Sequence, residues 1–364
     1  MRIFTATLTA TLTATLLTGL TASASLAQDE ARWAIVVHGG AGVIERESMT
    51  AETEAAYRAA LDAALETGGA ILSEGGSSLD AVEAVIRDME DNPIFNAGRG
   101  AVFTAEGRNE LDSSIMDGAT LNAGAVAGVT GIRHPITAAR AVMENSRHVM
   151  LTGEGAEAFA QEQELEFVDP AYFFTERRWR SMERAVGDLG LPLPARPEGA
   201  PEPEEIQEGA LDIMEREHRF GTVGVVALDQ SGNIAAGTST GGTTAKRWGR
   251  VGDSPVIGAG TYATPYCGVS ATGTGEYFIR LNIAARICHE MEVIDRGAEE
   301  RPLAAQDVAD QVIQGDLTDL GGDGGVIVMS ISGQTAWSFN TQGMYRASWG
   351  SNRDRIVAIY GDEE

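Results

Sequence analysis

Thr222 stands directly after a glycine in Gly221-Thr222-Val223-Gly224, and Thr240 closes the run Ile234-Ala-Ala-Gly-Thr-Ser-Thr240. A threonine hydroxyl is a weak nucleophile near neutrality and needs a base beside it. An N-terminal threonine carries its own, an α-amine with a reference pKa of about 8. Exposing that amine means breaking the bond between Gly221 and Thr222. Attack of the Thr222 hydroxyl on the preceding carbonyl would do so through an ester that water hydrolyses, and glycine at 221 offers backbone conformations closed to other residues. Gly-Thr also opens ordinary strands, so its surroundings must carry the weight.

Those surroundings contain further chemistry. With residues 230–233 as a four-residue hairpin loop, Asp229 faces Ile234 and Thr222 faces Gly241, beside Thr240; a slip by one residue would change the face that Thr240 presents. In Arg250-Val251-Gly252-Asp253, a guanidinium and a carboxylate lie three residues apart in a glycine-containing loop. They could clamp the free carboxylate and ammonium of an amino acid, or form a surface ion pair. Ala271-Thr272-Gly273-Thr274-Gly275-Glu276 could aim backbone N–H groups at a developing oxyanion. A rival lies in Gly237-Thr-Ser-Thr-Gly241, which fits a serine nucleophile elbow and would use Ser239 with Asp323 in a patatin-like dyad. An elbow needs a helix straight after the serine, and residues 242–255 show no helical period. The five histidines lack the i,i+3 or i,i+4 pairing of a zinc site.

The elements that must position these groups begin with an apolar strand, Trp33–Val37, running into His38-Gly-Gly-Ala-Gly42. Helical periods follow over 50–72 and 78–90, with Ser77 or Ser78 as cap of the second. Strands are predicted at 101–104, 111–116 and 123–129, helices at 135–143 and 153–164, then the hairpin. Helices over 275–291 and 302–314 and a hairpin of 326–331 with 335–340 complete the order. Residues 190–209 change character, with prolines among glutamates, and read as a mobile linker. One domain, split chemically near its middle, is the economical organisation.

Composition narrows the class. The 364-residue chain is 43% hydrophobic with a net charge of −26, which disfavours nucleic acid and anionic membrane as partners. Residues 1–27 read as an export signal, with Arg2, a Leu/Ala/Thr stretch and Ser25-Leu26-Ala27 before the cut. Seven threonines within a stretch of about 18 residues argue against a membrane anchor. A periplasmic protein is the expectation, so a non-enzymatic binding protein is a second class to weigh; it gives no reason for the Gly221-Thr222 junction. Cys267 and Cys288 could pair in an exported chain or remain two buried thiols.

Taken in order, Phe95-Asn-Ala-Gly98, Gly221-Thr-Val-Gly224, Thr238-Ser-Thr-Gly-Gly242, Gly249-Arg-Val-Gly-Asp-Ser-Pro255 and Thr272-Gly-Thr-Gly-Glu276 resemble the plant-type asparaginase/isoaspartyl peptidase family of N-terminal nucleophile hydrolases. The resemblance runs from His38 to the C-terminal region. It implies an αββα four-layer sandwich cut into pieces 28–221 and 222–364, which associate as (αβ)2. It also implies hydrolysis of β-aspartyl dipeptides and L-asparagine without a catalytic cofactor. Thr222 becomes the nucleophile, Thr240 its supporting hydroxyl, and Asn96 a close neighbour. Arg250 and Asp253 become the clamp, and Thr272 with Gly273 the oxyanion hole. Val251, Gly252, Thr274 and Gly275 complete the substrate site. A structural sodium ion is implied on the carbonyls of Met89, Glu90, Asn92, Phe95, Ala97 and Arg99, the last of which departs from the family's small or apolar residue. Arg219-Phe220 departs from its Lys-His. Glycosylasparaginases share the fold and nucleophile, but resemble a pattern with Asp and Asn where this chain has Gly221 and Gly241.

Overall fold

A computed structural model describes residues 32–47, 49–203, 221–295 and 305–363. The export-signal reading, the departure at 219–220 and the second part of the linker lie outside them.

Twelve strands are described: β1 Ala34–Gly42, β2 Leu111–Asp117, β3 Ala123–Val129, β4 Met150–Thr152, β5 Val223–Leu228, β6 Ile234–Thr240, β7 Thr261–Ala263, β8 Cys267–Gly273, β9 Gly324–Ser330, β10 Thr335–Phe339, β11 Gly343–Gly350 and β12 Arg353–Tyr360. They form an eight-stranded sheet, β12-β11-β1-β5-β6-β2-β3-β4, and a four-stranded sheet, β10-β9-β8-β7. Helices α1 Ala51–Ser73 and α2 Ser78–Asp91 cover the larger sheet. Further along the chain come α3 Pro135–Asn145, α4 Gly153–Glu162 and α5 Glu176–Asp188. Helices α6 Gly275–Leu281, α7 Ile283–Asp295 and α8 Ala305–Asp310 follow, and they pack on the smaller sheet.

Period-two alternation builds the layers. Val223, Val225 and Ala227 of β5 pack with Leu61, Leu65 and Val85 of the helices, whereas Val226 and Leu228 pack with Ile327 and Met329 across the gap between sheets. Apolar burial therefore occurs on both faces of each sheet, and the order of layers is helix, sheet, sheet, helix. That is the expected αββα sandwich.

Several boundaries move. Residues 101–104 form no strand, although the Thr104 N–H donates to the Arg108 carbonyl at 2.8 Å. The expected helix over 275–291 breaks at Asn282, whose φ of 53° caps α6 in the left-handed region. Ser77, not Ser78, caps α2, its hydroxyl accepting from the Asp80 N–H. The 326–340 hairpin is not the last pair, since β11 and β12 follow. Helix α5 and strands β4, β7, β8, β11 and β12 have no counterpart among the expected elements. Cys267 and Cys288 are joined, with Cα atoms 5.2 Å apart, stapling β8 to α7.

Candidate active site

The hairpin that carries both threonines is displaced by one residue from the expected register. Leu228 pairs with Ile234 and Val223 with Ser239, because Asp229 belongs to the loop. Its carboxylate accepts from the Ser231 and Asn233 N–H groups and makes a five-residue turn. Continued by one residue, this register sets Thr222 directly opposite Thr240, on the same face. Their hydroxyl oxygens lie 3.0 Å apart, and the Thr240 hydroxyl also accepts from the Gly242 N–H at 3.1 Å. Across the next strand pair Thr240 faces Asp112.

Ser239 points the other way, donating to the buried Glu90 carboxylate at 2.6 Å. Residues 241–260 contain no helix, and the Asp323 carbonyl accepts from the Thr274 N–H at 2.9 Å. The helix that a serine elbow needs after Ser239 is therefore absent.

Gly221 is required for space. Its φ is outside the left-handed region, contrary to the expected use of its conformational freedom. A Cβ there would lie 2.8 Å from the Asn96 Cβ. Asn96 grips this junction through four bonds: its N–H donates to the Gly221 carbonyl at 2.9 Å, and its carbonyl accepts from the Gly241 N–H. Its side chain donates to the Gly242 carbonyl and accepts from the Val102 N–H. The carbonyl before Thr222 is thus already polarised by one donor.

Below Thr222 runs a buried polar chain unforeseen from sequence. His38 Nε2 lies 3.0 Å from Ser270 Oγ, and links continue through Thr238, Thr261 and Ser114 to the Ser254 carbonyl, each at 2.5–2.8 Å. Burial holds the His38 imidazole down to about 3, against a partly compensating bond to the Thr222 backbone, so it stays neutral. Gly224 makes room, since a Cβ there would meet Ser270 Oγ at 1.9 Å and His38 Nε2 at 2.2 Å. The chain ties β1, β2, β6, β7 and β8 together beneath Thr222.

A narrow pocket opens in front of Thr222, lined also by Thr240, Arg250, Gly252, Asp253 and Gly273. Arg250 and Asp253 are both there, but not as a direct pair. Arg250 places Nε and Nη2 on Glu276 of α6, each at 3.0 Å. In the sequence Glu276 stands out only as the end of the Thr272–Glu276 motif. Gly252 and Gly275 sit hard against the clamp, where Cβ atoms would approach Arg250 Nη1 at 2.7 Å and Asp253 Oδ1 at 2.7 Å. Asp253 Oδ2 is buried without a hydrogen-bond partner. Burial pushes its carboxyl up to about 7, with the Arg250 charge opposing. A cationic group entering the cavity would complete it. Thr272 lies on the same face of β8 as Ser270, its hydroxyl buried and unbonded. Val251 is exposed and does not line the pocket.

The 89–99 loop tests the cation reading. At Gly98, whose φ is 48°, a Cβ would fall 2.3 Å from the Glu90 carbonyl oxygen, and at Gly100 one would fall 1.9 Å from that of Phe95. Carbonyls therefore occupy the space side chains would take. Those of Met89, Asn92 and Ala97 each accept one N–H bond and keep a second lone pair. Carbonyl oxygens are the ligand type that a hard cation takes. Arg99 is exposed, its guanidinium 5.7 Å from the Tyr172 ring, and leaves its carbonyl to the loop. Among the described residues no cluster of His, Cys, Asp and Glu suits a metal.

This architecture and nucleophile geometry define an N-terminal nucleophile hydrolase fold. A family model described as asparaginase matches residues 31–359. The chain is 47% identical over 331 residues to an isoaspartyl peptidase of Escherichia coli K12, covering 90% of this chain and 96% of that protein. It is 39% identical over 326 residues to an isoaspartyl peptidase/L-asparaginase of Xenopus laevis, with 89% and 94% covered. A plant-type L-asparaginase of Pyrococcus furiosus is 38% identical over 315 residues, with 85% and 94% covered. The chain belongs to the asparaginase family and is a hydrolase.

Proposed function

We propose that the chain cuts itself before Thr222 and then hydrolyses β-aspartyl dipeptides and L-asparagine. The observation that carries this reading is the Thr222–Thr240 hydroxyl pair at 3.0 Å, set between a glycine carbonyl and a cavity holding Arg250 and Asp253. In the uncut chain the Thr222 hydroxyl attacks the Gly221 carbonyl carbon. The C–N bond then breaks, nitrogen takes the hydroxyl proton, and water hydrolyses the ester.

The freed α-amine next serves as base for the same hydroxyl. Asp253 takes the substrate ammonium, and Arg250, held from behind by Glu276, takes the α-carboxylate through its open edge. The side-chain carbonyl then lies at Thr222, with Thr272 and Gly273 receiving the negative charge. Expulsion of ammonia or an amino acid leaves an aspartyl ester, which water clears. Thr240 orients the nucleophile. A sodium ion on the 89–99 carbonyls would be structural, and would fix the loop that carries Asn96. Export to the periplasm and an (αβ)2 assembly belong to the same proposal.

Replacing Thr222 by Ala should leave one uncut, inactive chain on a denaturing gel. In the wild type, N-terminal sequencing of the smaller piece should read Thr-Val-Gly. A processed Thr222→Ala chain, or any other start, sinks the mechanism.

A further inference from the structure

The guanidinium of Arg178, on α5, is buried in a place that its own surroundings do not explain. The residue is 2% exposed. Its Nε donates to the Gly100 carbonyl at 2.8 Å, while Nη2 is buried without a partner. Among the described residues no carboxylate pairs with it. A buried cation without a counter-charge is costly, and that cost calls for a compensating anion in some state of the protein. Desolvation, with the Arg177 charge adding to it, lowers the group to about 9, so it is still cationic at neutral pH.

Its neighbour is the bond before Thr222. Nη2 lies 3.6 Å from where a Cβ on Gly221 would sit, and that Cβ would also touch Asn96. Among the described residues the Gly221 carbonyl oxygen takes the Asn96 N–H and no second donor. We infer that Arg178 is the electrostatic partner of the Gly221 carbonyl during self-cleavage and of the carboxylate that cleavage creates.

The inference rests on the self-cleaving reading above. When Thr222 Oγ bonds to the Gly221 carbon, the carbonyl π pair moves onto an oxygen that already accepts the Asn96 N–H, and the Arg178 cation stands next to the same glycine. Collapse breaks the C–N bond, and hydrolysis of the ester leaves Gly221 as an α-carboxylate with its proton lost to water. Arg178 transfers no proton at any stage. It supplies charge twice, first to a transient oxyanion and then to a permanent one. Removing a preorganised oxyanion partner costs about 100-fold to 1,000-fold in rate in comparable sites.

The test follows conversion of the full chain to two bands in the wild type, Arg178→Gln and Arg178→Lys. Thermal unfolding is compared between Thr222→Ala and Thr222→Ala/Arg178→Gln, both uncut. Glutamine should slow processing at least 100-fold, and lysine, which keeps the charge without the fork, should slow it less. The uncut double variant should unfold at or above the temperature of its parent, because it loses an uncompensated charge. Processing of Arg178→Gln at the wild-type rate overturns the inference. So does slow processing accompanied by a lower unfolding temperature in the uncut pair, which marks a merely structural arginine. A wild type that stays whole would instead bring down the self-cleaving reading.

Discussion

Asp253 shows how one residue's surroundings set its chemistry. A carboxyl pushed up to about 7 by burial is half neutral at pH 7 in the free protein. Its folded value lies above its ordinary value of 3.8, so its contribution to stability is full below pH 3.8 and is lost as pH rises through 7. In the uncut Thr222→Ala chain, Asp253→Asn should therefore gain stability relative to its parent between pH 4 and pH 8. Chemical denaturation at the two pH values checks the sign, and a relative loss at pH 8 would refute the burial argument. Sequence had named this residue and its clamp partner because their types and spacing match a zwitterion. It could not name Glu276 as the group holding Arg250, or His38 and Arg178, because their roles depend on packing between segments far apart in the chain. Gly221 was read for the right position and the wrong reason: close approach of Asn96, visible only once folded, excludes a side chain.

At the scale of elements, alternation and glycine placement made β1, β2, β3 and the β5–β6 hairpin legible, along with α1 through α4. The hairpin register was missed by one residue because the Asp229 side chain captures two loop N–H groups, a turn chemistry that loop length alone does not specify. The turn Arg247–Arg250 is a local departure of another kind. The Arg250 N–H bonds the Arg247 carbonyl at 3.0 Å, with Trp248 and Gly249 between them at φ of 59° and 66°. Positive φ suits glycine or asparagine and strains a bulky side chain by about 1–2 kcal/mol. Trp248 is 87% exposed, with the Arg247 guanidinium 4.3 Å from its ring centroid. Relief of the strain should outweigh that stacking, so Trp248→Asn is expected to stabilise the fold by about 1 kcal/mol. A fall in unfolding temperature would contradict this.

The described residues belong to one compact unit, with three apolar layers and a disulfide confined to its second half. Both cysteines follow Thr222, so the bridge should not hold the two pieces together: a denaturing gel run without reductant should still resolve them. Comigration as one band would mean that the bond before Thr222 is intact. The sheet order has a larger consequence. Strand β1, from before the proposed cut, is enclosed between β11 and β5, both from after it, while β6 joins β2 on the far side. While the chain is whole, assembling this interleaved sheet is a first-order event. Once the bond is gone, reassembly from unfolded pieces is bimolecular, and in dilute solution the pieces must find each other before any strand can insert. If the proposed cut occurs, the uncut chain is its own scaffold up to that moment, and the lifetime of the cut protein is set by how slowly it first comes apart.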